Sequence, residues 1–209
     1  MKIYLSRHSK TLWNEEKRLQ GRKDSPLTFQ GKENALALKK HIQNMSFDYI
    51  YTSPIKRAYE TSKLIFDESH LIQDDRLMEM NFGEYEGCLI SSLKDSLLYY
   101  QLWHKPAEFT RIPEGESYDD VIIRAKSFIN DLKKHHLDDS IMIMTHGMFF
   151  IVLLATMLDL EKKDFVKLNQ KVVDGCSLTC INYDGKTFTL DYYNDYSFLP
   201  YVANESFSK

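Results

Sequence analysis

Two arginines and two histidines stand beside segments that the sequence predicts to be strands. Arg7 and His8 follow the first apolar run, and His146 follows a later one. Arg57 lies in the first turn of the helix that is predicted after the second strand. Because the carboxyl ends of parallel strands open onto one crevice, we expect these four side chains to meet at one rim of a sheet.

This set of side chains is suited to phosphoryl chemistry. An arginine guanidinium presents planar paired donors that match phosphate oxygens. Two arginines around one point repel each other unless an anion lies between them, and a phosphoryl group carries about two negative charges near neutral pH. Histidine, whose ordinary pKa is about 6.5, offers a neutral nucleophilic ring at physiological pH. The residues therefore predict phosphoryl transfer to a histidine.

The elements that must position these side chains alternate between strand and helix. Apolar runs predict strands at residues 2–6, 48–52, 140–145, 176–182 and 187–193, with a turn at Asp184-Gly185 between the last two. Helices are predicted after Thr28, from Ser53 as N-cap with Pro54 at the first helical position, from Ser117 with Asp120 in its first turn, and after His146. The alternation predicts an α/β fold, a three-layer α/β/α sandwich. Its central sheet is expected to be mostly parallel with an antiparallel edge strand, in one domain over residues 1–209.

Composition excludes several other classes of protein. The 209 residues are 43% hydrophobic and carry 27 basic against 30 acidic side chains, a net charge of −3 that does not suit a general nucleic-acid binder. The longest apolar run, 148–158, is shorter than the roughly 20 residues that span a bilayer. The first residues lack the pattern of a signal peptide, and the three cysteines lack CxxC spacing. We expect a cytoplasmic protein with no disulfide, no membrane and no nucleic-acid partner.

Several motifs occur in one order along the chain. They are Leu5-Ser6-Arg7-His8-Ser9-Lys10-Thr11-Leu12-Trp13-Asn14, Gln20-Gly21-Arg22-Lys23-Asp24-Ser25-Pro26-Leu27-Thr28 with Gly31, Ser53-Pro54-Ile55-Lys56-Arg57-Ala58 with Thr61, Leu77-Met78-Glu79-Met80-Asn81-Phe82-Gly83-Glu84-Tyr85-Glu86-Gly87, Pro113-Glu114-Gly115-Glu116-Ser117 and Thr145-His146-Gly147. In this order, over roughly residues 3–180, the chain resembles the histidine phosphatase superfamily, in the branch with the cofactor-dependent phosphoglycerate mutases.

The resemblance implies a phosphoglycerate mutase-like fold and a role for each matching position. His8 would accept the phosphoryl group, and Glu79 would protonate the leaving alkoxide and then act as base. The transferring group would be held by Arg7, Arg57 and His146. Phosphate or substrate contacts are implied for Ser9, Asn14, Gln20, Gly21 and Gly147. For Asn14 and Gln20 the alternative is that they cap turns.

One position departs from the family pattern. Ser9 stands where the family usually has glycine after the Arg-His pair. A serine adds a Cβ and a hydroxyl that either donates to phosphate or crowds it. We expect Ser9 to be tolerated.

We expect a phosphatase that acts on a small phosphorylated metabolite. It would need no cofactor or metal, because the cationic pocket would stabilise the phosphoryl charge that a metal ion stabilises in other enzymes. The alternatives are a phosphoglycerate mutase, although the Arg-Arg-Ser-Phe-Asp type motif is missing from the segment after the acid, and a non-catalytic module that binds a phosphorylated ligand. The aromatic segment 99–109 is either a lid or core, and the C-terminal tail has no assigned role. The sequence does not determine the oligomeric state, and a homodimer is compatible with it.

Overall fold

A computed structural model describes residues 1–169 and 172–202. The strands are β1 (Lys2–Arg7), β2 (Tyr49–Thr52), β3 (Leu71–Gln73), β4 (Ser140–Thr145), β5 (Leu178–Tyr183) and β6 (Phe188–Asp195). The helices are α1 (Leu12–Glu15), α2 (Phe29–His41), α3 (Lys56–Ile65), α4 (Leu97–His104), α5 (Tyr118–His135), α6 (Gly147–Met157) and α7 (Phe165–Asn169). Short 3₁₀ turns connect several of them.

The strands form one sheet in the order β3-β2-β4-β1-β5-β6. Neighbours are parallel from β3 to β1, whereas β5 and β6 run antiparallel to the strands beside them. The predicted mostly parallel sheet with an antiparallel edge is thus confirmed, since the edge strand β6 pairs antiparallel with β5. The turn between them is at Asp184-Gly185, where Gly185 has a φ of +95° that favours glycine.

Helices cover both faces of the sheet, so the molecule has three layers. In β1, Ile3 and Leu5 pack into the core cluster that contains α5 and α6. The alternate residue, Tyr4, packs into a second cluster that contains side chains of α2 and α3. Side chains of successive strand residues point to opposite faces, so these central strands are buried on both sides. Nearly every residue of α6 is buried, as its uniformly apolar sequence predicts.

Helix starts agree with the sequence in two cases and differ in a third. Thr28 caps α2, and Ser117 caps α5 in a reciprocal capping box with Asp120, as predicted. The predicted helix start at Ser53-Pro54 is wrong, because α3 begins at Lys56. The Ser53 hydroxyl instead accepts from the amide of Ile55 at 3.3 Å and contacts His146, which places it in the site and not at a helix end.

Three further findings bear on the sequence predictions. The strand β3 and the short helices α1, α4 and α7 were not predicted. Cys88, Cys176 and Cys180 are all free thiols. Among residues 1–169 and 172–202, no helix has the length and hydropathy that crossing a bilayer requires.

Candidate active site

The ends of three adjacent parallel strands bring the predicted side chains together. Arg7 is the last residue of β1, and the next amide, that of His8, donates to the Thr145 carbonyl of β4 at 2.8 Å. His146 follows β4 directly, and its ring centroid lies 5.1 Å from that of His8. The amide of Ser53, after β2, donates to Met144 at 3.0 Å. The predicted meeting of these residues at one rim is therefore present.

Hydrogen bonds set the tautomer of His8. Its Nδ1 lies 2.7 Å from the carbonyl oxygen of Ser9, and a carbonyl only accepts, so Nδ1 carries the proton. Its Nε2 accepts from Nε of Arg57 at 3.1 Å. Burial, together with the positive charges of Arg57 and Arg7, lowers the pKa of His8 well below its ordinary value. The ring is therefore neutral at physiological pH, with its lone pair on Nε2.

A loop before α2 fixes the guanidinium of Arg57, whose side chain is fully buried. Nη2 donates to the carbonyl of Gly21 at 2.6 Å, and Nη1 donates to Lys23 O at 3.0 Å and to Asp24 Oδ1 at 3.1 Å. Its Nε is thereby aimed at His8. Gly21 thus binds Arg57 through its carbonyl oxygen and does not line the pocket.

Two other buried groups in the cluster keep polar atoms without a partner among the described residues. Arg7 donates from Nη1 to Val173 O at 3.0 Å, but its Nε has no hydrogen bond. His146 contacts the Ser53 hydroxyl through Nε2 at 2.7 Å, whereas its Nδ1 has none. A buried polar atom left unpaired costs about 1–3 kcal/mol, and such costs are concentrated at sites that bind a ligand.

Glu79 is buried at the N-terminus of α6. Its Oε1 accepts from the amides of Met80 and Phe149, both at 2.8 Å, and its Oε2 accepts from the amide of Met148 at 3.0 Å. Burial raises the pKa of Glu79, and these amides together with the charge of Arg57 act in the opposite direction. The side chain therefore takes up a proton more readily than an ordinary glutamate, which suits a general acid.

One pocket is lined by six of the ten predicted site residues, namely Arg7, His8, Asn14, Gln20, Glu79 and Gly147. Arg57 and His146 lie beside His8 within the cluster and do not line this pocket. Asn14 and Gln20 are also engaged with Thr11: Asn14 completes the capping box of α1, and Gln20 Oε1 accepts from the Thr11 hydroxyl at 2.9 Å. Asn14 thus has a turn-capping contact as well as a place on the wall, whereas Gln20 bonds the hydroxyls of Thr11 and Ser25.

Ser9 lies away from that wall. Its hydroxyl donates to the carbonyl of Gly31 at 2.5 Å, and its amide donates to the Thr61 hydroxyl at 3.1 Å. It is completely buried and is absent from the pocket lining. The expectation that its hydroxyl donates to phosphate does not match this placement, since that hydroxyl holds α2 against the strand end.

The variant Ser9→Gly is expected to keep kcat/KM within about tenfold of the wild type, because the hydroxyl that it removes faces Gly31. The free energy of unfolding should fall by about 1–2 kcal/mol, through the lost hydrogen bond and the freer unfolded backbone. Urea denaturation and steady-state kinetics check the two parts. A rise in activity by several orders of magnitude would show instead that Ser9 obstructs the site.

Acidification is expected to destabilise the fold through the two buried histidines. Burial and nearby positive charges lower the pKa of His146 well below its ordinary 6.5, as for His8. Below pH 6.5 the unfolded chain binds protons that the folded chain excludes. The free energy of unfolding therefore falls as the pH drops below that value, by up to about 1.4 kcal/mol per pH unit for each histidine.

Urea denaturation at about pH 8 and about pH 5 tests this, with His146→Gln compared with the wild type. The variant should lose less stability between the two conditions. His135→Gln, which changes an exposed histidine, is the matched control and should follow the wild type. An equal loss in His146→Gln and the wild type would contradict the prediction.

Four residues that support the site were not predicted. Glu86 is buried and accepts from the amides of Arg22 at 2.9 Å and Lys23 at 2.7 Å, so it shapes the loop that holds Arg57. A Cβ on Gly21 would lie 2.1 Å from the Glu86 Oε1 atom, which explains the glycine there. Asp24 pairs with Arg57.

Arg124 and Glu116 support Glu79 from the other side. Arg124 donates to the carbonyl oxygens of Arg76 at 2.7 Å and Met78 at 2.6 Å, pairs with Glu116, and lies over the ring of Phe149 at 4.4 Å. Both the residue before Glu79 and the amide donor Phe149 are thereby fixed. In sequence, Asp24, Glu86 and Glu116 each lie within one of the motifs, which gave them no role, and Arg124 lies in none.

A family model described as the histidine phosphatase superfamily (branch 1) matches residues 3–196 of the chain. The chain belongs to the histidine phosphatase superfamily. Among curated relatives, a Hydrogenobacter thermophilus protein provisionally named phosphoserine phosphatase 2 is 34% identical, over 92% of this chain and 95% of its own. A Yersinia pestis protein provisionally named phosphoglycerate mutase GpmB is 32% identical, over 88% and 85%.

Solved structures of the superfamily have the same fold. YhfR of Bacillus stearothermophilus superposes with a TM-score of 0.87 at 31% identity, covering 95% of this chain and 98% of its own. The histidine phosphatase relatives thus include proteins named as phosphatases and as mutases, and both names describe enzymes that move phosphoryl groups.

Proposed function

We propose that the protein is a phosphatase that hydrolyses a small phosphorylated metabolite through a phosphohistidine on His8, with Glu79 as general acid and base. One observation supports this above the others. Nε2 of the neutral His8 ring, the Nε donor of Arg7, which has no partner among the described residues, and the buried carboxyl of Glu79 with its raised pKa surround one pocket. Simple anion binding needs the arginines and has no use for a protonatable carboxyl.

In the first step, Nε2 of His8 gives up the hydrogen bond from Arg57 Nε and attacks the phosphorus, while the bond from phosphorus to the ester oxygen breaks. The hydrogen bond from Nδ1 to Ser9 orients the ring and disperses the positive charge that develops on it. Arg7 in the pocket wall, with Arg57 and His146 beside His8, would stabilise the charge of phosphoryl oxygens held at Nε2, which is the main catalytic contribution in phosphoryl transfer. Glu79 gives its proton to the leaving alkoxide, which departs as an alcohol.

In the second step, ionised Glu79 removes a proton from water, and the water oxygen attacks the phosphorus. The bond between phosphorus and Nε2 breaks, which releases inorganic phosphate and returns its electron pair to the neutral ring of His8. Glu79 is protonated again, and the cycle closes. The amides of Met148 and Phe149 stabilise the carboxylate between the two steps.

The second candidate is a phosphoglycerate mutase, which the 32% identity to the Yersinia protein of that name favours. The same residues would perform the first step. A mutase differs only in the acceptor, since a second hydroxyl takes the phosphoryl group before water does.

The test is intact-mass spectrometry at neutral pH after mixing with phosphate esters, together with measurement of released phosphate. We expect a transient gain of one phosphoryl group and release of phosphate from para-nitrophenyl phosphate. An adduct that persists until a second phosphorylated acceptor is added would establish the mutase. If no ester gave an adduct or released phosphate, a non-catalytic binding module would be favoured.

A further inference from the structure

The walls of the pocket beyond the phosphoryl site are apolar. Side chains from α1, α4, α6 and the segments 18–20 and 80–90 line it, and they include Trp13, Leu19, Phe82, Ile90, Trp103 and Met148. The amide of Met148 donates to Oε2 of Glu79, so this wall begins beside the group that protonates the leaving oxygen. The carbon skeleton attached to that oxygen therefore lies against apolar surface.

Two polar side chains of the same pocket, Gln20 and Arg18, are already engaged with other groups of the protein. Gln20 uses Oε1 with Thr11 and donates from Nε2 to the Ser25 hydroxyl at 3.0 Å. The Arg18 guanidinium donates to Glu16 at 2.6 Å and to the carbonyl of Gly87 at 2.8 Å. Beside Gln20 and Arg18, a carboxylate, ammonium or polyol on the substrate would have to break these contacts or be buried without partners, and either is costly. Lys17, at the exposed side of the pocket, is the cation that a substrate carboxylate would meet instead.

Two tryptophans give this wall a fixed shape. A Cβ on Gly87, which has a φ of +88°, would lie 3.1 Å from the Trp13 ring, so that indole rests on the Gly87 backbone. Trp103 is part of α4 and packs edge-on against Tyr99, with ring centroids 6.3 Å apart. The predicted aromatic segment is thus divided, since Trp103 lines the pocket while Tyr99 and Phe109 are core.

We propose that the preferred substrate is a phosphomonoester of an apolar alcohol, with an aryl or alkyl group that packs between Trp13 and Trp103. This rests on the proposed phosphatase function and names the substrate class for it. It departs from the substrates that the names of the two curated relatives state, because phosphoserine and phosphoglycerate carry charged or hydroxylated groups. Apolar pockets discriminate by area, and each buried methylene strengthens binding by about three- to fourfold.

The first experiment measures binding without turnover, so it remains decisive if the phosphatase proposal fails. Calorimetry compares benzylphosphonate with 2-amino-3-phosphonopropanoate, two phosphonates that cannot be hydrolysed. We expect benzylphosphonate to bind the wild type at least about tenfold more tightly. Equal binding, or tighter binding of the amino acid phosphonate, would overturn the proposal.

Two variants locate the preference. Trp103→Ala is expected to lower the affinity for benzylphosphonate by about tenfold and to leave the affinity for inorganic phosphate unchanged. Tyr100→Ala removes an exposed aromatic ring from the same helix and should change neither value. Should Trp103→Ala be unstable, Ile90→Asn introduces a polar group into the same wall and should also weaken benzylphosphonate selectively. An unchanged preference in both wall variants would overturn the assignment.

Hydrolysis supplies the second readout. The ratio of kcat/KM for n-hexyl phosphate to that for O-phosphoserine should exceed about ten, and both esters release an alkoxide, so leaving-group reactivity does not create the difference. Lys17 is an exposed cation of the same pocket. If the wild type hydrolysed O-phosphoserine faster than n-hexyl phosphate, and Lys17→Gln removed that preference, the pocket would be assigned to carboxylated esters and the proposal overturned. No hydrolysis of any ester, with the phosphonate preference intact, would refute only the phosphatase function.

Discussion

Replacing His8 by asparagine is expected to lower kcat for every phosphate ester by about 10⁴-fold or more, because no other nucleophile takes its place. The asparagine amide can still donate to the carbonyl of Ser9, so the local backbone should persist. Initial rates of phosphate release give the loss. The phosphoryl adduct seen by mass spectrometry in the wild type should be absent.

A matched histidine variant separates chemistry from folding. His136 is also buried, and its ring contacts the Tyr51 hydroxyl at 2.9 Å and Asp139 at 2.8 Å, remote from the site. His136→Asn should lose stability and keep the kcat of its folded fraction. If His8→Asn retained an adduct and turnover, the nucleophile would have to be sought elsewhere, and His146, 5.1 Å away between ring centroids, would be the next residue to test.

The central strands and the cluster at their ends could be predicted because their signals are local and strong. The run 140–145 is apolar at nearly every position, and β4 has the predicted bounds. Since β1, β2 and β4 are adjacent and parallel, residues that follow them must share an edge. The order of the strands along the chain and their apolar pattern were therefore enough to place Arg7, His8 and His146 correctly.

Other features depend on contacts between distant segments, which carry no local signal. The helix predicted to begin at Pro54 begins two residues later, at Lys56, and the Ser53 hydroxyl that was predicted to cap it contacts His146, 93 residues away. The direction of Ser9 could not be predicted, because the Gly31 carbonyl that accepts from it belongs to α2. Glu86 is one of three glutamates in its motif and Arg124 lies in no motif, so only their contacts in the structure reveal them as supports of Arg57 and Glu79.

Glu79→Gln is expected to slow the first step, formation of the phosphoryl adduct, by about 10²–10⁴-fold for alkyl phosphates. For para-nitrophenyl phosphate the same step should slow by less than about tenfold. An alkoxide is a poor leaving group and needs the Glu79 proton, whereas para-nitrophenolate departs without one. A single-turnover measurement of adduct formation isolates this step for each ester. The wild type should also lose the first step as the pH rises through the raised pKa of Glu79, because its carboxyl then lacks the proton.

The dependence on leaving group separates proton donation from support of the structure. Glu86→Gln is the control, since Glu86 is another buried carboxylate that accepts backbone amides and has no contact with Glu79. It reaches the site through the loop that holds Arg57 and through the amide of Phe82, which donates to it at 3.1 Å. Glu86→Gln should lower the rate of the first step equally for alkyl and aryl esters. A displaced Arg57 would bind the phosphoryl group more weakly, and that group is common to all the esters. If Glu79→Gln also slowed both classes equally, Glu79 would be a support for the α6 amides, and the proton would have to come from another residue of the pocket.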